Sequence, residues 1–232
     1  MYKRIDLDMN NFTDEIEIAN YLIEKLSVFS DYFTVEYTEA LIGYSGENPK
    51  IKITPIAEVD FFYAMCIRKP NWRSHLYQYK NGSINYNDRY ERYFGNIVFF
   101  EVYINEETKE FLITTDGISW GSGVCKDVAG NYFRYSSPYF VKNGTGYYAS
   151  CFLYSGIYPP DSNSCFLINA HLCYNKPYEH TLVNEECMEN FFVCHLPTSL
   201  GFNTKISING ERYVVCCTYD RNRVLLFRFI AD

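Results

Sequence analysis

The pattern of apolar positions divides the chain into one helical stretch and a long succession of strand-like runs. Ile16, Ala19, Leu22, Ile23, Leu26 and Phe29 recur at helical spacing, which predicts a helix over roughly 13–29. Thr13 is the expected N-cap, and Asp14, Glu15 and Glu17 suit the positive end of the helix dipole. Residues 1–12 read as a short arm or first strand. From Asp31 to Thr38 the period falls to two: Phe33, Val35 and Tyr37 alternate with Thr34, Glu36 and Thr38, as in a half-buried strand. Turn residues from Gly43 to Pro49 separate it from an alternating run, Lys50–Thr54, and a further apolar run covers Val59–Ile67.

The chain is organised around Phe94–Trp120. Two apolar runs, Phe94–Ile104 and Glu110–Thr114, flank the polar turn Asn105–Lys109 and predict a central antiparallel hairpin. Gly121–Gly130 reads as a glycine-rich loop, and Tyr132–Phe140, Tyr147–Tyr154 and Ser164–Tyr174 as strands. Lys176–Asn190 is polar and acidic and reads as a loop or one short helix, and Phe191–Leu196 is again apolar. At the C-terminal end Lys205–Ile208 and Glu211–Tyr219 flank Asn209-Gly210, the strongest short hairpin signal. Asp220-Arg221-Asn222 then turns the chain into Arg223–Ile230. A helix followed by sheet strands predicts a mainly β (α+β) fold, an antiparallel sheet or sandwich with one N-terminal helix. With no low-complexity linker or clear repeat, 1–232 reads as a single domain. Its parts are a helix-plus-strands subregion over 1–67, a long aromatic basic loop over 68–93 and an antiparallel β region over 94–232.

Composition adds a surface to this picture. Aromatic residues make up 19% of the chain, with 23 Tyr and 18 Phe, and Tyr-rich faces suit contacts with other proteins. A genome whose codons favour Tyr, Phe, Asn, Ile and Lys gives the same bias. The net charge of −7 argues against nucleic acid or an anionic membrane as the main partner. Against that background, Arg68–Arg92 carries six Lys or Arg and only two acidic residues. The start has no apolar segment of a signal peptide, and no run approaches the 18 apolar residues of a membrane helix. The nine Cys, an odd number, are therefore expected to be reduced, buried thiols of a cytoplasmically made protein.

Four groups of residues carry candidate chemistry. Thr114-Thr115-Asp116-Gly117-Ile118-Ser119-Trp120 resembles the Asp-box of sialidase-like and related β-propeller repeats, in which Asp and Gly shape a hairpin turn and Trp packs on it. The resemblance implies a structural turn at Asp116, Gly117 and Trp120, to which Asn209 and Gly210 add a second. A single copy does not make a propeller, and no carboxylate pair for a glycosidase stands out. Cys165, His171, Cys173, His180, Cys187, Cys194 and His195 are of zinc-ligand type, but no Cys-x-x-Cys pair is present, and a sheet face with buried thiols has the same pattern. Cysteine nucleophile chemistry has no local signature either; Cys216 and Cys217 are neighbours in a strand and read as packing. The segment holding Arg68, Trp72, Arg73, Tyr77, Tyr79, Tyr86, Arg89 and Tyr90 suits stacking and phosphate binding or, better with the acidic total charge, a protein interface. Walker, Rossmann, His-Glu-x-x-His and Gly-x-Ser-x-Gly patterns are absent, so no cofactor and no catalytic residue is expected.

An acidic, Tyr-rich, mostly β chain with the Asn209-Gly210 hairpin and an Asp-box-like turn is similar in overall character to structural proteins of bacteriophage tails and contractile injection particles. That resemblance implies a non-enzymatic assembly role in a virion or tail-like particle. The partners would be copies of the chain and other particle proteins, without nucleic acid or membrane. The Arg68–Tyr93 segment and one edge of the C-terminal sheet would be the contact surfaces. The alternative reading is a carbohydrate- or receptor-binding β-module in which Trp72 and Trp120 stack on sugar faces, and a propeller-like hydrolase is a third.

Overall fold

The computed structural model describes residues 1–41, 48–56, 61–68, 73–80, 83–84, 90–93, 95–115, 118–126, 132–137, 166–176, 179–195, 200–201, 203–218 and 223–230. Side chains are described for 1–41, 48–56, 64–67, 95–115, 190–192, 194, 200–201, 203–216 and 224–230, and the backbone alone elsewhere in that set.

The fold is mainly β with one α-helix among the described residues. The strands are β1 (Tyr2–Asp8), β2 (Phe33–Tyr37), β3 (Ile51–Pro55), β4 (Phe61–Arg68), β5 (Arg73–Lys80), β6 (Ser83–Ile84), β7 (Tyr90–Tyr93) and β8 (Ile97–Asn105). They continue with β9 (Glu110–Thr115), β10 (Ile118–Lys126), β11 (Tyr132–Ser137), β12 (Phe166–Lys176), β13 (Glu179–His195), β14 (Lys205–Ile208), β15 (Glu211–Thr218) and β16 (Arg223–Phe229). The helix α1 covers Glu15–Leu26 and passes into a 3-10 turn, Ser27–Phe29. The chain divides into two compact units, Arg4–Phe100 and a second made of Met1–Lys3 with Glu101–Asp232; the division falls inside β1 and β8.

In the unit Arg4–Phe100, α1 presents Ile18, Ala19, Leu22 and Leu26 to the interior. It starts one residue later than the spacing suggested. Asp14, not Thr13, is the N-cap: its carboxylate accepts from the backbone N–H groups of Ile16 and Glu17 at 2.8 and 2.9 Å. Glu17 reaches back to the N–H of Thr13 at 2.7 Å, one residue before the N-cap, a capping box displaced by one position. Beneath the helix runs a six-stranded sheet with the order β2-β3-β4-β5-β6, β7 pairing with β5. Phe33, Ile51, Ile53 and Met65 are buried in it, and Phe29 meets Phe33 ring to ring at 5.9 Å. The expected long loop over 68–93 is instead largely strand: β5 runs the full length of β4, from Phe61 opposite Lys80 to Arg68 opposite Arg73. Arg73–Lys80 includes Tyr77 and Tyr79, a residue type favoured in strands, and β6 and β7 pair with its other edge.

In the second unit the sheet order is β8-β9-β10-β13-β16-β15-β14, with β1 beyond β8, β11 on β10 and β12 on β13. The central hairpin is β8 and β9. Asn105 shapes its turn by accepting from the N–H groups of Glu107 and Thr108 at 3.2 and 3.3 Å, and Lys109 takes a left-handed φ of 60°. Residues 101–105 and 110–115 are buried throughout, so both faces of this hairpin are covered. Two expectations are corrected here. Gly121–Lys126, read as loop, belongs to β10, and Glu179–Asn190, read as loop or helix, is the first part of the long strand β13. β12 pairs along β13 through two register irregularities, which let a polar, acidic sequence with poor alternation remain in a ladder. The predicted Tyr147–Tyr154 strand lies outside the described residues.

At the C-terminal end, Asn209 and Gly210 both have positive φ, 53° and 85°, the requirement of a type I′ turn between β14 and β15. A register shift between Val215 and Cys217 places Cys216 at a bulge in β15. Cys216 is buried there, and its thiol donates to the Leu225 carbonyl at 3.3 Å.

Candidate functional site: two buried carboxylate clusters

Glu101 is an acid inside an apolar run of β8, and its side chain is 2% exposed. A lone carboxylate in such a place must be paired or hydrogen-bonded. Its Oε1 accepts from the Tyr2 hydroxyl at 2.5 Å and faces Lys205 Nζ at 3.0 Å. Its Oε2 accepts from the Tyr103 hydroxyl at 2.9 Å and from the Asn203 side-chain amide. These four donors occupy the four acceptor positions of a carboxylate. Around them, Lys205 Nζ also donates to Tyr2 Oη at 2.8 Å and lies over the Tyr2 ring at 4.1 Å. Thr114 on β9 donates to Asn203 Oδ1 at 3.0 Å. Asn203 holds a left-handed φ of 63°, which Asn tolerates better than most residues, and its backbone N–H donates to the Val215 carbonyl at 2.7 Å.

The cluster joins the two ends of the unit's strand order. Tyr2 belongs to β1 and Glu101 to β8, whereas Lys205 opens β14. Tyr103 packs edge-on against Phe229 of β16, with ring centroids 4.8 Å apart. The first and last strands of this order thus meet through side chains, Lys205 reaching Tyr2 and Glu101.

The electrostatics follow from this geometry. Burial pushes the Glu101 carboxyl up, but the hydrogen bonds from Tyr2, Lys205, Asn203 and Tyr103 together outweigh it and hold the group below its ordinary range. Burial, then the neighbouring Glu101 charge, drives the Tyr103 phenol far above the ordinary tyrosine range. Tyr2 is raised by burial and by its bond to Glu101. Burial lowers Lys205, yet its bonds to Tyr2 and Glu101 leave it raised. Both phenols are held as proton donors and the carboxylate as the anion. The arrangement suits a structural clasp and opposes a phenolate base or a proton-carrying acid.

A second cluster surrounds Glu110, fully buried at the start of β9. Asn190 of β13, also fully buried, donates to Thr108 Oγ1 at 2.9 Å and to Glu110 Oε2. Arg228 Nε donates to Asn190 Oδ1 at 2.9 Å, and another of its nitrogens to Glu211 at 3.0 Å. Tyr213 completes the chain with a 2.6 Å bond to Glu211. That bond, with the Arg228 charge behind it, lowers the Glu211 carboxyl. Glu101 lies four strand steps from the turn end of β8, about 13 Å of backbone.

The residues singled out in the sequence are placed as follows. Arg68 ends β4 opposite Arg73, Tyr77 lies opposite Ala64, Tyr79 opposite Phe62, and Tyr90 of β7 opposite Leu76. Trp72, Tyr86 and Arg89 lie outside the described residues, as do Asp116 and Gly117. The strands on either side of that turn pair with Ile118 opposite Thr115, and Trp120 lies opposite Ile113. Of the Cys and His set, the ladder brings His171 opposite Cys187 and Cys194 opposite Leu167. Cys194 is a buried thiol within a core of Phe192, Tyr213, Val215, Val224 and Leu226. Cys165 lies outside the described residues. Among the described residues no three metal-ligating side chains come together, and no helix is long and apolar enough to cross a membrane.

No family model, curated protein or solved structure matches this chain.

Proposed function

We propose that this chain is a non-enzymatic structural component of a bacteriophage virion or tail-like particle, acting through contacts with copies of itself and with other particle proteins. The observation that carries the reading is the strand β14, at the end of its sheet. In a two-residue hairpin the residues flanking the turn exchange hydrogen bonds, so Ile208 and Ile206 face β15. The backbone groups of Lys205 and Ser207 therefore point to the outer side, where an added strand from another chain could pair. Ile206 and Ile208 pack on the core below, and the Glu101 clasp holds Lys205 in place, so this edge is preformed. The aromatic and basic composition of Arg68–Tyr93 supports a second contact there.

Ser207→Pro removes an outward N–H without touching the β15 ladder, a substitution that sheet edges accept. It is expected to lower incorporation of the chain into sedimenting particles, and Arg73→Ala or Tyr79→Ala is expected to do the same. Cross-linking of particle fractions, read by mass spectrometry, should join the β14 peptide to another protein. A chain that stays out of every particle fraction, with no such cross-link, overturns the reading. Flanking sheath, tube or portal genes test the same class independently.

A further inference from the structure

We infer that β2, the edge of the six-stranded sheet, pairs with β2 of a second copy around a two-fold axis through Val35. The hydrogen bonds to β3 fix which backbone groups face outward. Thr38 N–H donates to the Lys50 carbonyl at 3.0 Å, and Ile56 N–H to the Tyr32 carbonyl at 3.1 Å. The register between them pairs Thr34 with Thr54 and Glu36 with Lys52. Antiparallel ladders alternate, so the even-numbered residues bond to β3 and the backbone groups of Val35 and Tyr37 point to the outer side. There the strand order of the described residues ends.

The sequence of this edge complements itself. A two-fold at Val35 sets Val35 against Val35, Phe33 against Tyr37 and Thr34 against Glu36. No like charges stand directly opposite, and an aromatic pair forms at each end. Glu36 is already neutralised within its own copy by Lys52 at 2.6 Å. The surroundings are apolar. Ile16, Val28, Tyr37 and Ile56 are four of the six exposed large hydrophobic residues among those described, and they lie on α1, its 3-10 extension, β2 and the turn residue after β3. Val28 is 62% exposed and Ile56 54%. An exposed β-edge beside such residues is what a monomer avoids and a partner covers. α1 packs on β2 within each copy, so pairing would bring a second helix to the same face of the extended sheet.

This deepens the assembly reading by naming a partner, and it rests on that reading only for its use. The full chain is examined by sedimentation velocity over a concentration series. A dimer is expected, and Val35→Pro, which removes an outward N–H and no bond to β3, should shift it to monomer while the far-ultraviolet dichroism is unchanged. The register is tested separately. Opposed residues of a hydrogen-bonded pair have Cα atoms about 5.5 Å apart, within disulfide reach. Val35→Cys should thus give a covalent dimer under mild oxidation. Glu36→Cys, whose twin lies on the diagonal at roughly 7–8 Å, should give little. A chain monomeric at all concentrations, a dimer indifferent to Val35→Pro, or equal cross-linking at both positions overturns the inference. Particle incorporation lost by Ser207→Pro but kept by Val35→Pro would leave the assembly reading standing without it.

Discussion

The two units of this chain hold their sheets by opposite means. In Arg4–Phe100 a helix covers the sheet with aliphatic and aromatic side chains, and its ion pairs, such as Lys52–Glu36 and Arg4–Asp6, sit on the surface. In the other unit no helix is present among the described residues, and the sheet covers itself. Between its first and last strands the contact is made by one buried carboxylate, Glu101, with every acceptor position filled. The first arrangement needs only matched apolar area and tolerates changes of detail. The second is fixed in direction: each donor has one place to be, and removal of one partner leaves the others buried and unsatisfied.

The sharpest way to break this comparison is Glu101→Ala. It leaves two phenols, an amide and an ammonium without their acceptor, and a loss of about 4 kcal/mol is expected in denaturant unfolding. Leu22→Ala in the helix-covered unit removes only packing and should cost about 3 kcal/mol. The two differ more in their response to pH. A carboxyl held below its ordinary range stabilises the fold fully above its unfolded value and loses that contribution as pH falls through the lower folded value. Stability should therefore decline on acidification below about pH 4.3. Glu101→Gln should make that decline shallower, and Leu22→Ala should leave its shape unchanged. Parallel pH profiles for all three proteins would show that the clasp carries no charge-dependent stability.

Much of the helix-covered unit was legible because its determinants are local. The i, i+3, i+4 spacing of Ile16 to Leu26 and the alternation of Phe33 to Tyr37 each report on their own element. The N-cap was misplaced by one residue because Thr13 and Asp14 are both good caps, and only geometry decides between them. The strands β5 and β13 were missed for a different reason. Polar, charged and aromatic residues fall at both odd and even positions of β5 and of the first part of β13, so no apolar face stood out to mark the strand. The clasp itself left one trace, an acid within Phe99-Phe100-Glu101-Val102-Tyr103. Its partners could not be read from spacing, because Asn203 and Lys205 lie about a hundred residues away, where no periodic pattern reaches. Asn203 in Gly201-Phe202-Asn203-Thr204 carried a turn signal, and its left-handed backbone is what aims the amide at Glu101.

The sequence separation of that clasp sets a timetable for synthesis. Glu101 and Lys205 are 104 positions apart, and Tyr2 and Lys205 are 203 apart. At roughly 5–20 residues per second, a translating ribosome needs on the order of 5–20 s after Glu101 to deliver its last partners. During that interval the central hairpin exists without its closing side chains, while α1 and the sheet strands it covers, all encoded before Glu101, can already pack. The helix-covered unit is thus positioned to fold first, and closure of the second must wait until Lys205 has been made.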